Sequence, residues 1–334
     1  MKDENGFLAA HLEVFIPHDS WLFAMTFPVS GTHISPLYLI GVGFVVGILG
    51  GFFGVGGSFL AGPALYGVGL PMNFVVGTDL AHIVGKSIVA ARKHRTLGNI
   101  DMKLGLLMVA GTIAGVEAGA QVIQGLKLTA HLDVAVGSMF IVVLLGISSF
   151  MTWESIKTLL AQRRAKAAGQ ELPGQHSSGR DQSAIAHLSR RIQAIRLPPY
   201  VSLPDSGIPR ISLWVILGVA MFGGFFSGFL GGGAGYIRMP CLVYLLGIPT
   251  HVAVGTDLFE VIISASYGTL THALKGNVDI LIALVMHTGA AVGAQIGATL
   301  TQFFAGPRIR MGFIPLPVIG AIMVLHGLLT RHAF

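Results

Sequence analysis

Ten apolar runs set the terms on which this chain can fold. They fall at residues 37–53, 59–70, 72–91, 104–125 and 132–152 and, after a polar interval, at 212–230, 236–248, 251–273, 280–303 and 312–330. A helix needs about 20 apolar residues to cross the hydrocarbon core of a bilayer. In lipid every backbone N–H and C=O must be paired within the protein, so runs of this kind fold as transmembrane helices. The predicted fold class is therefore all-α, a polytopic transmembrane helical bundle. The runs at 59–70 and 236–248 are too short to cross as straight helices and read as half-helices or re-entrant hairpins, giving about eight to ten membrane segments.

Composition closes off the soluble alternatives. The chain is 53% hydrophobic and 11% charged, whereas soluble domains carry about 25% charged residues. Its 46 glycines would weaken soluble helices but suit helices packed closely in lipid. The formal net charge is +6, yet the basic residues lie between apolar runs rather than along one face with aromatics, which excludes nucleic acid as a partner. The single cysteine, Cys241, forms no intrachain disulfide. His251, His287 and His326 are scattered without metal-ligand spacing, and no Walker-type, Ser-His-Asp or Cys-His arrangement occurs. Neither a metal nor a cofactor is expected.

The two sets of runs are copies. Pro71–Leu80 aligns with Pro249–Leu258 at an offset of 178, with six of ten positions identical. At the same offset His94, Gly98, Asn99 and Asp101 match His272, Gly276, Asn277 and Asp279, and Gly111, Gly115 and Gly119 match Gly289, Gly293 and Gly297. Upstream the offset slips by one, so that Gly54-Val-Gly-Gly57 pairs with Gly231-Gly-Gly-Ala234 and Pro63 with Pro240. Internal duplication recurs in secondary transporters, whose substrate sites lie between the repeats.

Four regions follow: an N-terminal segment at 1–36, which the sequence leaves interfacial, crossing or exposed, a first transmembrane repeat at 37–152, a basic loop at 153–210, and a second repeat at 211–334. The loop holds Lys157, Arg163, Arg164, Lys166, Arg180, Arg190, Arg191, Arg196 and Arg210, which places it in the cytoplasm by the positive-inside tendency. It reads as a flexible solvated linker, with Arg190, Arg191 and Arg196 on a short amphipathic helix at the membrane face. With that loop inside, the Arg92–Arg95 turn is also inside, the matching Lys275 turn outside, and Arg308 and Arg310 inside. This charge pattern predicts inverted repeats.

Several residues stand out chemically. The turns Gly54-Val-Gly-Gly-Ser58 and Gly231-Gly-Gly-Ala-Gly235 lie between an apolar run and a short run ending in Pro, the pattern of a broken membrane helix. Free N–H groups of Gly54, Gly56, Gly57, Gly231, Gly232 and Gly233, with the positive end of the next half-helix, can hold an anion; the alternative use of these glycines is close packing. Thr78, Asp79, Thr256 and Asp257 place hydroxyls and carboxylates just inside apolar runs, where they line the site, brace it or cap a helix. Arg238, opposite Ala61 in the first half, offers a guanidinium for bidentate oxyanion recognition; the alternatives are an ion pair with Asp257, Glu260 or Glu117, or snorkelling. Glu117, read as a lone buried carboxylate or a partnered one, joins Glu260, His82 and Lys86 as proton-coupling candidates. The repeated Gly-x-x-x-Gly-x-x-x-Gly stretches at 111–119 and 289–297 are packing faces.

At these motifs the chain resembles the TauE/SafE sulfite exporter family over roughly 37–330. The resemblance is carried by Gly54-Val-Gly-Gly-Ser-Phe-Leu-Ala-Gly-Pro63, Gly-Leu-Pro71 and Gly77-Thr-Asp-Leu80, and again by Gly231-Gly-Gly-Ala-Gly-Tyr-Ile-Arg-Met-Pro240, Gly-Ile-Pro249 and Gly255-Thr-Asp-Leu258. It implies a non-enzymatic secondary transporter of sulfite, sulfonates or related small anions in the cytoplasmic membrane. The basic loop, the N-terminal extension and Arg238 depart from the family's pattern. The partners expected are a small anionic substrate and the lipid bilayer, with a homo-oligomer compatible with the sequence. Two other readings compete: an intramembrane enzyme acting on a lipid or sulfur compound, and a membrane scaffold or sensor using the basic loop.

Overall fold

Each apolar run becomes a helix, and the glycines decide which helices touch. The computed structural model describes residues 25–55, 57–128, 132–167, 186–195, 197–232 and 235–332; Gly56, Gly233, Arg180, Arg196 and most of the N-terminal segment lie outside them. The first half comprises α1 (Pro36–Phe53), the short α2 (Ser58–Gly67), α3 (Met72–Thr96), α4 (Met102–Lys127) and α5 (Leu132–Ala167). After α6 (Ala186–Gln193), the second half repeats the order as α7 (Leu213–Leu230), the short α8 (Gly235–Pro240) with a π-helical continuation (Cys241–Leu246), α9 (Thr250–Leu274), α10 (Ile280–Leu300), α11 (Gly306–Phe313) and α12 (Pro315–His332). Among the described residues seven helical stretches are long and apolar enough to cross a membrane. The helix α9 matches α3 in length but carries Thr256, Asp257, Glu260 and Ser264 on its buried side.

Helix breaks follow local chemistry. Ser35 Oγ accepts a hydrogen bond from Tyr38 N at 3.3 Å, with Pro36 at the first helical position of α1. Gly54, at φ 72°, ends α1, and Gly231, at φ 82°, ends α7; both conformations are ones that an L side chain resists. The half-helices α2 and α8 begin a few residues further on.

The halves interdigitate rather than sit side by side. A methyl added at Gly43, Gly47 or Gly51 of α1 would strike the backbone of Met286, Ala290 or Ala294 in α10, and Gly289, Gly293 and Gly297 meet Ile40, Phe44 and Ile48 in return. On the other side Gly111, Gly115 and Gly119 of α4 meet Leu217, Met221 and Phe225 of α7, while Gly224 and Gly228 meet Thr112 and Val116. The numbers rise together in each pair, so α1 runs parallel to α10 and α4 parallel to α7. By the same logic α3 runs with α10, since Gly77 meets Asn277 and Gly85 meets His287, and α9 runs with α4, since Gly255 meets Asn99 and Gly268 lies against Val116. The core is thus two parallel triplets, α1–α3–α10 and α4–α7–α9. Backbone contact this close is available only to glycine and explains why the small-residue spacing recurs in both halves.

Two regions extend further than the sequence boundaries at 37 and 153–210 suggest. Strands β1 (Met25–Phe27) and β2 (Thr32–Ile34) form an antiparallel hairpin before α1, and β3 (Tyr200–Leu203) and β4 (Ile208–Ser212) form one before α7. Pro28-Val-Ser-Gly31 and Pro204-Asp-Ser-Gly207 mark the two turns, so the hairpins belong to the repeat. The helix α5 does not end with its apolar run but continues through Trp153 to Ala167, and Glu154 is buried and accepts a hydrogen bond from Tyr244 Oη at 2.9 Å. This corrects the reading of the interval from 153 as linker: only its later part separates the halves. Within it α6 docks on the second broken helix, where Gln193 Nε2 donates to the Leu246 carbonyl at 2.7 Å.

Candidate functional site

The two glycine turns meet. A methyl on Gly235 would lie 2.7 Å from Val55 Cα and 2.6 Å from Asp257 Oδ2, so the start of α8 is pressed between the first turn and a carboxylate of α9. Gly54 faces Val254, and Gly231 faces Val76, the equivalent valine of the other half. Gly57 is packed on Val46. Close packing thus accounts for glycine at Gly54 and Gly231, across the halves, and at Gly57, within the first half. The neighbouring Gly232 adopts φ 75° and is buried.

Beside this junction lies Arg238, with no solvent exposure. Its Nε donates a short hydrogen bond to Asp257 Oδ1, and its Nη1 lies 2.5 Å from Glu260 Oε2, off the direction of a good hydrogen bond. Among the described residues Nη2 has no partner. Ser264 Oγ donates to Glu260 Oε2 at 3.2 Å, while Asp257 Oδ2 and Glu260 Oε1 are unpartnered. Gly223 of α7 provides the room: a methyl there would touch the Arg238 side chain at 3.3 Å. Of the ion-pair partners the sequence offers Arg238, the structure brings Asp257 and Glu260 and not Glu117.

The equivalent positions in α3 hold a different set. Asp79, His82 and Lys86 form a ladder on one buried face: His82 Nδ1 lies 3.5 Å from Asp79 Oδ1 and 3.4 Å from Lys86 Nζ. One ring nitrogen serves only one of these partners at a time. Among the described residues Asp79 Oδ2, His82 Nε2 and the hydroxyl of buried Tyr236 have no partner. Buried polar atoms without partners are few in folded proteins, and here several gather around the meeting point of α3, α8 and α9.

Two predicted residues act elsewhere. Thr78 Oγ1 accepts from Asp279 N, and Thr256 Oγ1 accepts from Asp101 N, each at 2.9 Å. Both hydroxyls therefore brace the start of a helix in the opposite half. Of the two readings of Glu117, the structure shows the partnered one. Its side chain is 36% exposed, 3.3 Å from Lys275 Nζ, and accepts hydrogen bonds from Gln121, Tyr267 and Thr271. Gly235, Gly223 and Tyr236 went unread as site residues; the fourth glycine of the second turn was the available signal for Gly235.

Among the described residues no cluster of three or more His, Cys, Asp or Glu is placed to hold a metal. A groove bounded by Gly146, Phe150, Ile237, Pro240, Cys241 and Tyr244 is almost wholly apolar, which suits a hydrocarbon surface and not an anion.

The sulfite exporter TauE/SafE family model matches residues 39–324. Two proteins of Bacillus subtilis called probable membrane transporter proteins are similar along the chain. YunE is 23% identical over 89% of this chain and 100% of its own, and YdhB is 23% identical over 86% and 100%. A probable membrane transporter protein of Methanocaldococcus jannaschii, MJ0441, is 41% identical over 21% of this chain and 28% of its own. No solved structure matches. With the family model spanning both halves and their glycine turns, this integral multi-pass membrane protein belongs to the sulfite exporter TauE/SafE family.

Proposed function

We propose that the protein is a secondary transporter that moves a small anion, of the sulfite, sulfonate or related sulfur and organic class, across the cytoplasmic membrane. The observation that carries this reading is Arg238, a fully buried guanidinium with an unpartnered Nη2 beside the junction of two broken helices. A charge at such depth is costly, which marks it as functional. An oxyanion is its natural ligand, because a guanidinium edge matches two oxygens at once. The family match and the names of the relatives point the same way.

The oppositely directed triplets support the reading that the halves are inverted, an arrangement suited to alternating access. The end of the bundle bearing Arg92, Lys93, Arg95, Lys103, Arg163, Arg164, Arg308 and Arg310 is assigned to the cytoplasm, and the end bearing Lys127 and Lys275 to the outside.

The test is counterflow of labelled sulfite, sulfate, thiosulfate, taurine and acetate in proteoliposomes. The wild type should show saturable flux of at least one of them, and Arg238→Ala should lose it while Arg238→Lys keeps a reduced flux. Absence of flux for every anion in monodisperse protein would sink the proposal, and a chemically altered product would favour an intramembrane enzyme instead.

A further inference from the structure

Arg238 is outnumbered. The carboxylates of Asp257 and Glu260 both lie against its single guanidinium, and all three side chains have no solvent exposure. The ionised trio carries a net charge of minus one. The neighbouring groups do not offset it: on α3 the ammonium of Lys86 is matched by the carboxylate of Asp79, with His82 between them. Among the described residues the other faces add no cation either. Thr112 of α4 lies beside Glu260 and Cys241 of the π-helical continuation beside Arg238, Gly223 of α7 packs on Arg238, and His287 of α10 packs over Gly85 beyond Lys86.

An anion entering this site therefore meets a negative cluster in a medium of low dielectric, where like charges repel strongly. The guanidinium edge it would use is also occupied in part, since Glu260 Oε2 sits 2.5 Å from Nη1. Both obstacles vanish if one carboxylate becomes a carboxylic acid. Glu260 is the one placed to do so. Asp257 holds Nε by a direct hydrogen bond, whereas Glu260 approaches Nη1 off-axis, so its contact with the guanidinium is the one more readily given up. Its other oxygen, Oε1, and Arg238 Nη2 are both unpartnered and fully buried.

Deepening the transporter reading and resting on it, we infer that the anion travels with a proton carried by Glu260. A proton from the aqueous phase adds to a Glu260 oxygen, the contact with Nη1 loosens, and the anion takes the freed Nη1–Nη2 edge. The substrate's charge replaces that of the carboxylate, so the site's net charge stays at minus one through the exchange. For a monovalent anion the cycle is electroneutral symport. The first half lacks the device, since Ala61 and His82 stand where the second half has Arg238 and Glu260, and the asymmetry between the copies acquires a purpose.

Isethionate is a suitable probe, because a sulfonate stays a monoanion across the working pH range and cannot mimic proton coupling by its own titration. Proteoliposomes with an acid-outside gradient and the potential clamped at zero should accumulate labelled isethionate several-fold, and a potential of either sign without a pH gradient should not. The half-saturating concentration measured by counterflow should rise about tenfold per pH unit on the alkaline limb, as one linked proton requires. Glu260→Gln should flatten that dependence and abolish accumulation. Wild-type counterflow that ignores pH, follows potential, or accumulates undiminished in Glu260→Gln overturns the inference while leaving anion transport standing. Absence of wild-type isethionate counterflow overturns the sulfonate reading and this inference together. Should Glu260→Gln fail to fold, the wild-type pH slope decides alone, and a slope of zero refutes the proton.

Discussion

Gly235 shows how much can hang on a missing side chain. A methyl there would meet Val55 Cα of the first glycine turn and Asp257 Oδ2 of α9, so it must shift backbone or an ion-paired carboxylate. Gly235→Ala should destabilise the protein by about 1–3 kcal/mol, the usual cost of overpacking, and should also move Asp257 relative to Arg238. Gly41, with nothing within 4 Å of its would-be methyl, is the matched control on a neighbouring helix. Thermal melts of the detergent-solubilised variants should show a lowered Tm for Gly235→Ala and an unchanged or slightly raised one for Gly41→Ala, which gains helix propensity. Equal melts would show that the junction is looser than its geometry. The sequence pointed to this turn but not to this residue, because three successive glycines and a fourth after Ala234 give no hint of which one another helix approaches. Arg238 was legible for the opposite reason: a guanidinium in an apolar run is conspicuous, and only its partners had to wait for the fold. Glu117 stayed open between a lone and a partnered carboxylate because hydropathy along one run carries no information about Lys275, which reaches it from beyond a different helix.

The helix starts form the next level of organisation. Asp101 caps α4 through Leu104 N at 2.9 Å, accepts from Ser206 Oγ at 2.6 Å, and donates its own N–H to Thr256. Asp279 does the same for α10 with Ile282 N, Ser30 Oγ and Thr78. At each end of the bundle a hairpin tip of one half is thus tied to a helix N-terminus of the same triplet or its neighbour through one carboxylate. Asp101→Ala and Asp279→Ala each remove a cap worth about 1 kcal/mol together with the hairpin bond. Both should lower Tm, and amide exchange should rise locally, in Ile208–Ser212 for the first and in Thr32–Ile34 for the second. Uniform exchange across both hairpins would refute the latch. The apolar helices themselves were plain from run length, since a bilayer demands length above all else. The hairpins were not, because short strands bounded by Pro-x-Ser-Gly turns look like any polar connection, and the extension of α5 past Thr152 was hidden by the switch from apolar to charged residues, which ends a span without ending a helix.

At the scale of the whole molecule, the pairing of helices across the halves constrains orientation more tightly than charge does. The helix α1 is parallel to α10, the fourth segment of the other half, and α7 is parallel to α4. Since consecutive long helices α3 and α4 are joined by a five-residue turn at 97–101, the proposed inversion sets the two triplets, and with them the equivalent helices α3 and α9, in opposite directions. The ends of those two helices provide the decisive comparison. Thr96 and Leu274 are equivalent positions at the offset of 178, both exposed, and each is followed by the matching Gly-Asn turn. In a Cys241→Ala background, Thr96→Cys and Leu274→Cys place a single thiol at one site or the other. Inverted halves require a membrane-impermeant maleimide to label Leu274→Cys in intact cells and Thr96→Cys only after the membrane is opened. A duplication with both halves in the same orientation would label the two alike, and the site where the glycine turns meet would then have to open to both sides by some motion other than an exchange between mirrored halves.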